Sequence, residues 1–380
     1  MVEDSTHKPP LRKKIFLLYP HYWPSYKAGG PVQSLFNLVG HFNQEADFYL
    51  IALDHEIDGT YPQQKVRINE WTRGPQNENI YYVTRIFPWH VSKLIREVAP
   101  DLILLNGIFN IETTLPGLIQ ARLSGIRTVI SPRGMLPNWA LRKKWAIKRM
   151  VLATLRLILR NNEVWHATTT HEMEEIHSIF GRKQRVSVAS NIPRRVSDFT
   201  EISFPGVGGI KLVFLSLISR NKNLHLIIEW VCKSNNYSLD IYGPVIDKEY
   251  WNECQALIAG VDVVTYKGPV PPWEVPAILK RYHFLILPTK GENFGHAIFD
   301  ALASGIPVII SRFTPWKDLE KAGVGFYIDI EQPESMGQLL AQIASMHPDT
   351  YNAYRHGSLA YAKDYWSRKN YRVEYGFLLD

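Results

Sequence analysis

The sequence has little cysteine and no long hydrophobic stretch, and these absences exclude several classes of protein. Its only cysteines are Cys232 and Cys254, too few for a disulfide framework and wrongly spaced for a zinc site. No apolar run is long enough to span a bilayer, and the first residues contain no apolar signal core. We therefore expect a cytoplasmic protein with reduced thiols and no integral membrane segment.

Metal and nucleic-acid motifs are also absent. The 13 histidines form no HExxH or other metal-ligand spacing, so no metal site is predicted. A net charge of +7 favours an anionic partner, but no RNA- or DNA-binding motif accompanies the basic residues. The expected partner is an anionic metabolite or an anionic membrane surface, and nucleic acid is a rival without motif support.

Short apolar runs alternate with segments of helical periodicity in both halves of the chain, which is typical of βα units around a parallel sheet. A chain of 380 residues is long enough for two domains, each with its own core. The predicted strands are residues 15–19, 48–53, 80–85, 102–106, 128–131 and 164–167 in the first half, then 211–216, 239–242, 263–266, 284–287 and 307–311.

A glycine-rich stretch from Pro205 to Gly209 separates the two halves and suits a flexible connection. We predict an α/β fold with two Rossmann-like domains, residues 1–200 and 209–362. Ligands of open parallel sheets bind beyond the carboxyl ends of the strands. The site is therefore expected in a cleft between the domains.

The segment after the predicted strand 284–287 is the richest in functional signals. A helix begins near Phe294 and Gly295, so its free amides and the positive end of its dipole point into the cleft. Two acids, Glu292 and Asp300, flank this helix start. On these residues alone, a ligand site and a solvated surface helix are equally good interpretations.

The stretch from Glu292 to Val308 favours the ligand site. It reads E-N-F-G-H-A-I-F-D-A-L-A-S-G-I-P-V and resembles the E-x-F-G-x-x-x-x-E-A-x-A-x-G-x-P-V signature of GT-B glycosyltransferases of glycosyltransferase family 4. The resemblance implies a retaining transferase that uses a UDP- or GDP-linked sugar without metal or other cofactor. It assigns the donor-sugar hydroxyls to Glu292 and the ribose to Asp300, which is one methylene shorter than the usual glutamate.

Two further segments resemble the donor site of the same family. Gly29 and Gly30 stand where relatives have a glycine loop against the donor phosphates. A Gly-Gly pair alone is better explained as a plain turn, but its place after the first strand and before a helix favours the loop. Lys222 matches the lysine that neutralises the diphosphate, whereas Leu217 occupies the arginine position. Arg220 is either the replacement or a surface cation. The donor residues implied by the resemblance are Gly29, Gly30, Arg220, Lys222, Asn293, Phe294, Gly295, His296 and Asp300.

The segment from Ser131 to Leu136, S-P-R-G-M-L, resembles a segment near the reacting sugar in a subgroup of the family. Many relatives carry histidine where this chain has Arg133. Arginine does not act as a base near neutral pH, but it stabilises an anionic leaving group. We therefore predict Glu292 and Arg133 as catalytic residues, with an electrostatic role for Arg133.

Residues 133–162 contain eight basic residues and no acidic residue, interleaved with apolar and tryptophan side chains. Such a stretch suits binding to an anionic membrane surface, and the alternative is a helix packed on its domain with a solvated cationic face. The resemblance adds a polyprenyl-diphosphate-linked or other saccharide acceptor, and a place in capsule or O-antigen assembly at the inner face of the cytoplasmic membrane. The residues expected at the membrane or acceptor are Arg142, Lys143, Lys144, Lys148 and Arg149.

The last residues, 363–380, resemble the helix that crosses back onto the N-terminal domain in GT-B enzymes. The resemblance covers nearly the whole chain, with departures at Leu217, Asp300 and Arg133. These departures leave an alternative function: a GT-B protein that binds a sugar nucleotide without transferring the sugar.

Overall fold

The computed structural model describes residues 12–62, 64–136, 145–159, 162–196, 209–234, 236–332 and 334–380. These residues form two α/β domains, each built around one sheet of mainly parallel strands. The connection predicted at Pro205 to Gly209 lies outside the described residues except for Gly209.

The N-terminal domain is built on a sheet with the strand order β3-β4-β2-β1-β5-β6-β7-β8. β3 pairs with β4 in antiparallel orientation, and the other pairs are parallel. Its elements are β1 (Lys13–Leu18), α1 (Gly30–Phe42), β2 (Ala46–Leu53), β3 (Trp71–Arg73), β4 (Asn79–Val83), α2 (Pro88–Val98), β5 (Leu102–Asn106), α3 (Ile111–Ser124), β6 (Arg127–Ser131), α4 (Trp145–Ile158), β7 (Val164–Ala167), α5 (Thr170–Phe180) and β8 (Arg185–Val188).

The C-terminal domain is built on a parallel sheet with the strand order β11-β10-β9-β12-β13-β14. Short 3-10 turns at Arg220–Lys222 and Pro272–Glu274 precede two of its helices. Its elements are β9 (Ile210–Leu215), α6 (Leu224–Cys232), β10 (Tyr237–Tyr242), α7 (Lys248–Ile258), β11 (Val264–Gly268), α8 (Val275–Leu279), β12 (Phe284–Leu287), α9 (His296–Ala303), β13 (Val308–Ser311), β14 (Gly325–Ile328) and α10 (Ser335–Ala344).

The central strands are apolar over most of their length because helices cover both faces of each sheet. Every residue of β5 and β12 is buried, which explains why these strands read as continuous hydrophobic runs. The predicted α/β fold with two Rossmann-like domains is confirmed.

Three strands have no counterpart in the sequence prediction: β3, β8 and β14. β3 has three residues at the edge of its sheet, and the four residues of β8 are half-buried or exposed. β14 begins with a glycine and has four residues. Segments this short give too few positions for a period to show.

The end of the chain crosses back to the N-terminal domain, as predicted, but in three helices: α11 (Pro348–Ser367), α12 (Tyr371–Glu374) and α13 (Gly376–Leu379). The predicted boundary at residue 362 lies inside α11, because Ala362 continues the buried face of that helix against the C-terminal core. The direction changes near Asn370, whose side chain caps α12. Tyr371, Tyr375 and Leu378 are then buried in the N-terminal core.

The strand order of both sheets places a crevice at the same kind of position. β1 lies between β2 and β5, and β9 lies between β10 and β12. The connections leave these neighbouring strands in opposite directions, so a gap opens beyond their carboxyl ends. The loops after β1, β9 and β12 therefore carry the residues of the candidate site.

Candidate active site

A cavity of about 300 Å³ lies between the two domains, where the loops after β1, β9 and β12 meet. The starts of α1 and α9 also lie on its wall. Of the expected donor and catalytic residues, all but Arg220 line this cavity. They are Gly29, Gly30, Arg133, Lys222, Glu292, Asn293, Phe294, Gly295, His296 and Asp300.

A close ion pair joins the loops after β9 and β12. Nζ of Lys222 lies 2.5 Å from Oε1 of Glu292 and 3.5 Å from Oγ1 of Thr289. The next residue, Asn223, fixes this arrangement because its side-chain amide donates to the carbonyl of Pro288 at 2.9 Å. Both charged side chains are largely buried, at 12% and 14% exposure, so their attraction is less screened than that of a surface pair. The structure thus brings together the two charged residues that the sequence placed 70 positions apart.

The start of α9 faces the cavity. Gly295 has φ +79°, and a Cβ there would lie 2.8 Å from Cδ1 of Ile298, so both the backbone conformation and the space require glycine. The first amides of a helix have no partner within it, and they carry the positive end of its dipole. Phe294, just before the helix, packs its ring on Trp316 and accepts that indole N–H at its carbonyl. This packing fixes where the free amides point.

His296 connects the two domains as a neutral ring. Its Nε2 lies 2.8 Å from Oγ of Ser34 on α1. Burial lowers the pKa of His296 to about 3, with smaller contributions from Arg133 and Arg194. Near neutral pH this ring therefore serves as a hydrogen-bonding group and not as a cation.

Asn293 makes a second contact between the domains, with a residue that the sequence analysis missed. Thr168 donates its hydroxyl to Oδ1 of Asn293 at 2.5 Å. Thr168 is held in turn by the buried Glu172, whose Oε2 accepts the amide of Thr168 at 2.7 Å and lies 2.7 Å from its hydroxyl oxygen. The other oxygen of Glu172 accepts the amide of Gly134 at 2.6 Å. Glu172 therefore fixes the loops after β6 and β7 from within its own domain.

Arg133 is a buried cation held by neutral groups. Its Nε donates to Oδ1 of Asn106 at 2.6 Å, and its Nη1 donates to Oδ1 of Asn191 at 2.5 Å. Its Nη2 is buried and has no hydrogen bond of normal geometry to a described residue. Burial lowers the pKa of the guanidinium, although Tyr375 and Glu172 nearby partly raise it. Tyr375 is a further hydrogen-bonding partner of this guanidinium. Because Nη2 is covered by protein, the guanidinium acts on an anion in the cavity through its charge.

The backbone of Arg133 also departs from the ordinary. Its φ is +56°, in the left-handed region that residues with a Cβ rarely adopt. Such conformations cost about 1 to 3 kcal/mol and persist where surrounding contacts impose them. Here the two asparagine contacts and the buried Glu172 below Gly134 impose it. The S-P-R-G-M-L segment therefore places Arg133 on the cavity wall in a backbone conformation that lowers the free energy of unfolding.

Asp300 is paired with an arginine that the sequence analysis did not identify. Its Oδ2 lies 3.6 Å from Nη2 of Arg194, which also donates to the carbonyl of Pro272 at 2.7 Å. Burial raises the pKa of Asp300, and the charge of Arg194 opposes that shift. Arg194 belongs to the segment that leaves β8 and has no motif around it. Only the fold brings it to Asp300.

The glycine loop and Leu217 touch each other across the cleft. Gly29 has φ +76°, and a Cβ on it would lie 3.1 Å from Cδ2 of Leu217. The loop is anchored by the buried Glu56, whose carboxylate accepts the amides of Tyr26 and Lys27. The side chain that stands at the arginine position of the resemblance is therefore an apolar contact for the loop.

Arg220 lies outside the cavity. Its guanidinium pairs with Glu253 at 2.5 Å and lies over the ring of Tyr250, 5.1 Å from the centroid. This position matches the surface-cation interpretation and differs from the expected donor contact. Both of its partners, Tyr250 and Glu253, are on α7.

Comparison with known proteins assigns a family to this site. Residues 201–356 match the family model described as glycosyl transferases group 1, and residues 52–191 match the glycosyl transferase 4-like domain. These two ranges cover the C-terminal and N-terminal domains in turn. This chain is a GT-B glycosyltransferase of group 1. No curated protein matches its sequence.

Solved structures share the fold of this glycosyltransferase at low sequence identity. HepE of Anabaena in complex with UDP and glucose is 14% identical, with a TM-score of 0.71 and coverage of 93% of this chain and 95% of that one. Sucrose-phosphate synthase of Thermosynechococcus elongatus is 13% identical, with a TM-score of 0.73 and coverage of 97% and 98%. A TarM variant of S. aureus, in complex with fondaparinux, alpha-GlcNAc-glycerol and UDP, is 12% identical, with a TM-score of 0.71 and coverage of 97% and 100%.

The basic helix of the glycosyltransferase is α4. Arg142, Lys143 and Lys144 lie outside the described residues. Lys148 lies over the ring of Phe109 and Arg149 over that of Trp145, at 5.1 and 4.9 Å from the ring centroids. The inward face of α4 is buried, whereas four large apolar side chains are exposed: Trp145, Ile147, Met150 and Leu157.

The surface around α4 continues onto α3. The two helices pack together, and Nη1 of Arg122 on α3 donates to the carbonyl of Ile158 at 3.2 Å. α3 exposes Ile119 and Leu123, the latter to 77%. Among the described helices, none combines the length and the apolar character needed to cross a bilayer. The same described residues contain no group of three or more His, Cys, Asp or Glu side chains placed to hold a metal ion.

Proposed function

We propose that this glycosyltransferase moves a sugar from a UDP- or GDP-linked donor to a saccharide acceptor with retention of the anomeric configuration. It does so without a metal ion or other cofactor. The observation that carries the proposal is the convergence of Lys222, Glu292, Arg133 and the free amides of α9 on one cavity between the domains. The UDP and UDP-glucose bound to HepE support a nucleotide-sugar donor.

The charges of the cavity fit the departure of a diphosphate. In the reaction, the bond between the anomeric carbon and the diphosphate oxygen breaks, and the acceptor oxygen forms the new bond on the same face. The acceptor proton leaves with the diphosphate. Lys222 and the α9 amides stabilise the charge that develops on the leaving group, and the positive charge of the Arg133 guanidinium on the cavity wall adds to this stabilisation. Once the diphosphate has replaced Glu292 as the partner of Lys222, the carboxylate of Glu292 accepts hydrogen bonds from the sugar hydroxyls and orients them.

A panel of nucleotide sugars tests this function. We expect one UDP- or GDP-linked sugar to raise the melting temperature of the purified protein and to be hydrolysed slowly in the absence of acceptor, because bound donor stabilises the folded state. If no donor raises the melting temperature and none is hydrolysed to release nucleotide, the proposed transferase activity is refuted. Stabilisation without any release of nucleotide, with or without saccharide acceptors, would instead support a binding protein, a function that Leu217 and the outward Arg220 favour.

We further propose that the acceptor is lipid-linked and that the enzyme acts in surface polysaccharide assembly at the cytoplasmic face of a membrane. The exposed apolar side chains of α3 and α4, beside Lys148 and Arg149, support this proposal. Such a surface buries its apolar groups at the lipid boundary while its cations face anionic headgroups.

Liposome flotation tests the membrane surface. We expect the wild type to float with anionic vesicles, and a double variant, Met150→Gln with Leu157→Gln, to float several-fold less. The matched control is Leu257→Gln, which removes an exposed leucine from the C-terminal domain. Equal flotation of all three proteins would overturn the membrane proposal and leave the transfer reaction unaffected.

A further inference from the structure

A second and larger cavity adjoins the donor cavity. Its volume is about 690 Å³, and Tyr26, Gln33 and Pro272 line both cavities. It runs along α1 towards Trp366, with residues 192–195 on its wall. We call this cavity the aromatic groove, because five rings line it: Trp23, Tyr26, Phe36, Trp273 and Trp366.

The polar lining of the aromatic groove is unusually rich in amides. An amide side chain offers both donors and an acceptor, which suits the hydroxyl groups of a sugar, while aromatic rings contact the apolar faces of the sugar ring. Asn37 and Gln33 are already linked to each other at 2.7 Å, so their orientation is fixed. The amides on the wall are Gln33, Asn37, Asn43, Gln44 and Gln76.

The charge of the aromatic groove has one sign. Its lining contains Arg194 and Arg195 and no aspartate or glutamate. Arg194 is engaged with Asp300 and Pro272, whereas Arg195 is exposed and makes no hydrogen bond or ion pair to a described residue. Burial and the charge of Arg195 lower the pKa of His41, so that ring adds no positive charge near neutral pH. Arg195 therefore offers a planar set of donors to an anion in the groove.

We propose that the aromatic groove binds an anionic oligosaccharide, the part of the saccharide substrate that lies next to the transferred sugar. The rings and amides recognise the sugar units, and Arg195 recognises a carboxylate or phosphate on them. The shared wall of Tyr26, Gln33 and Pro272 lets one chain extend from the donor cavity into the groove. The inference rests on the proposed function in naming this saccharide as substrate, but its binding is measurable without transfer.

Calorimetric titration of the purified protein tests the groove with three probes: trigalacturonate, its fully methylated ester and inorganic phosphate. We expect trigalacturonate to bind at least about tenfold more tightly than the ester, because a hydrogen bond to a charged group contributes about that factor. Phosphate alone should bind still more weakly, because it makes no contact with the rings. Equal affinity for the acid and the ester, or for the acid and phosphate, would overturn the proposal, as would the absence of binding.

Two variants and a matched control locate the site. Arg195→Gln and Trp273→Ala change exposed side chains, so both proteins should fold, and each should weaken trigalacturonate binding about tenfold. Arg281→Gln removes an exposed arginine just before β12, at the opposite end of the sheet, and should leave binding unchanged. If Arg281→Gln weakens trigalacturonate binding as much as Arg195→Gln does, the loss reflects the overall charge of the protein and not a contact in the groove. Titration with UDP separates the two proposals. If UDP binds and trigalacturonate does not, only the proposal for the aromatic groove is wrong. If trigalacturonate binds and no nucleotide does, only the proposal for the donor cavity is wrong.

Discussion

The two sides of the cleft hold their charges in different ways. On the C-terminal side Lys222 lies against Glu292, and Asp300 pairs across the cleft with Arg194 from the segment after β8. On the N-terminal side Arg133 is held by the side-chain oxygens of two asparagines, and no described carboxylate forms an ion pair with it. In the reaction proposed above, Lys222 exchanges Glu292 for the diphosphate, whereas Arg133 keeps its asparagine partners and acts through its charge. Four substitutions test this difference, from the largest expected effect to the smallest.

Glu292→Ala should reduce transfer by about 10³-fold or more, the upper range for losing one contact made in the transition state. The variant removes the expected sugar contact and also frees Lys222 from its ion pair. Because the variant leaves the largely buried Lys222 without its partner, we expect some loss of stability, and turnover is compared at a temperature at which the variant is still folded. Turnover with the best donor is the measurement, circular dichroism is the control for folding, and near-normal turnover would show that the family role does not belong to this residue.

Arg133→Met should lower kcat/KM about 10²-fold, because the transition state loses one stabilising positive charge. Its melting temperature should change little, since removing a desolvated charge offsets the lost hydrogen bonds to Asn106 and Asn191. Arg281→Gln, at an exposed position, is the matched control. If the melting temperature of the variant falls strongly while kcat/KM is unchanged, Arg133 stabilises the fold and has no role in catalysis.

Arg194→Met should make stability more dependent on pH. The folded pKa of Asp300 is raised by burial and held down in part by Arg194, so the variant raises it further. A carboxyl whose folded pKa is raised stabilises the fold most when it is protonated, and this contribution is lost as pH rises through the folded pKa. Near neutral pH we therefore expect the variant to lose about 1 to 3 kcal/mol of unfolding free energy, for a buried carboxylate left without its partner.

Urea unfolding at about pH 7 and about pH 5 measures this effect, because the deficit should shrink as Asp300 becomes protonated. Adding Asp300→Asn to the variant should remove the pH dependence. Arg195→Met changes the neighbouring arginine, which makes no ion pair to a described residue, and serves as the control. A deficit that is constant with pH would mean that Arg194 acts through Pro272 alone.

Arg220→Gln should have the smallest effect, a change of less than about twofold in transfer, because a surface ion pair contributes little. Lys222→Gln, two residues away, should reduce transfer far more. If both variants lose activity equally, Arg220 leaves Glu253 and reaches the diphosphate during the reaction. That result would mean that the cations of the C-terminal side change partners during the reaction.

Most of the fold could be predicted because its central strands are buried on both faces. Phe284–Leu287 and Leu102–Asn106 read as continuous apolar runs, and the helix after β12 begins at a glycine. β3 and β8 could not be found in this way, because three or four residues at a half-exposed edge show no period.

The residues of the candidate site likewise fall into two groups, those that the sequence could predict and those that it could not. Lys222 after β9 and the residues from Glu292 to Asp300 after β12 were predicted from the resemblance of their segments to the family signature, and Lys222, Glu292 and Asp300 line the cavity. Asn191, Thr168 and Arg194 were not, because each contacts the site from a distant part of the sequence and has no motif around it. Arg220 shows the opposite case: its sequence position is close to the site, but the conformation of its side chain directs it to α7.

The hydrogen bonds that close the cleft also bear on how fast the enzyme works. Ser34 with His296 and Thr168 with Asn293 join the domains through uncharged groups, and water replaces such bonds with a net loss of only about 0.5 to 1.5 kcal/mol each. Arg194 adds one charged contact across the cleft, to Asp300 and the carbonyl of Pro272. We therefore expect the domains to separate readily, on the microsecond to millisecond scale of hinge motions. In the reaction proposed above, this opening gives the spent nucleotide a route out of the cavity, and we expect it to contribute to the rate of turnover alongside the chemistry.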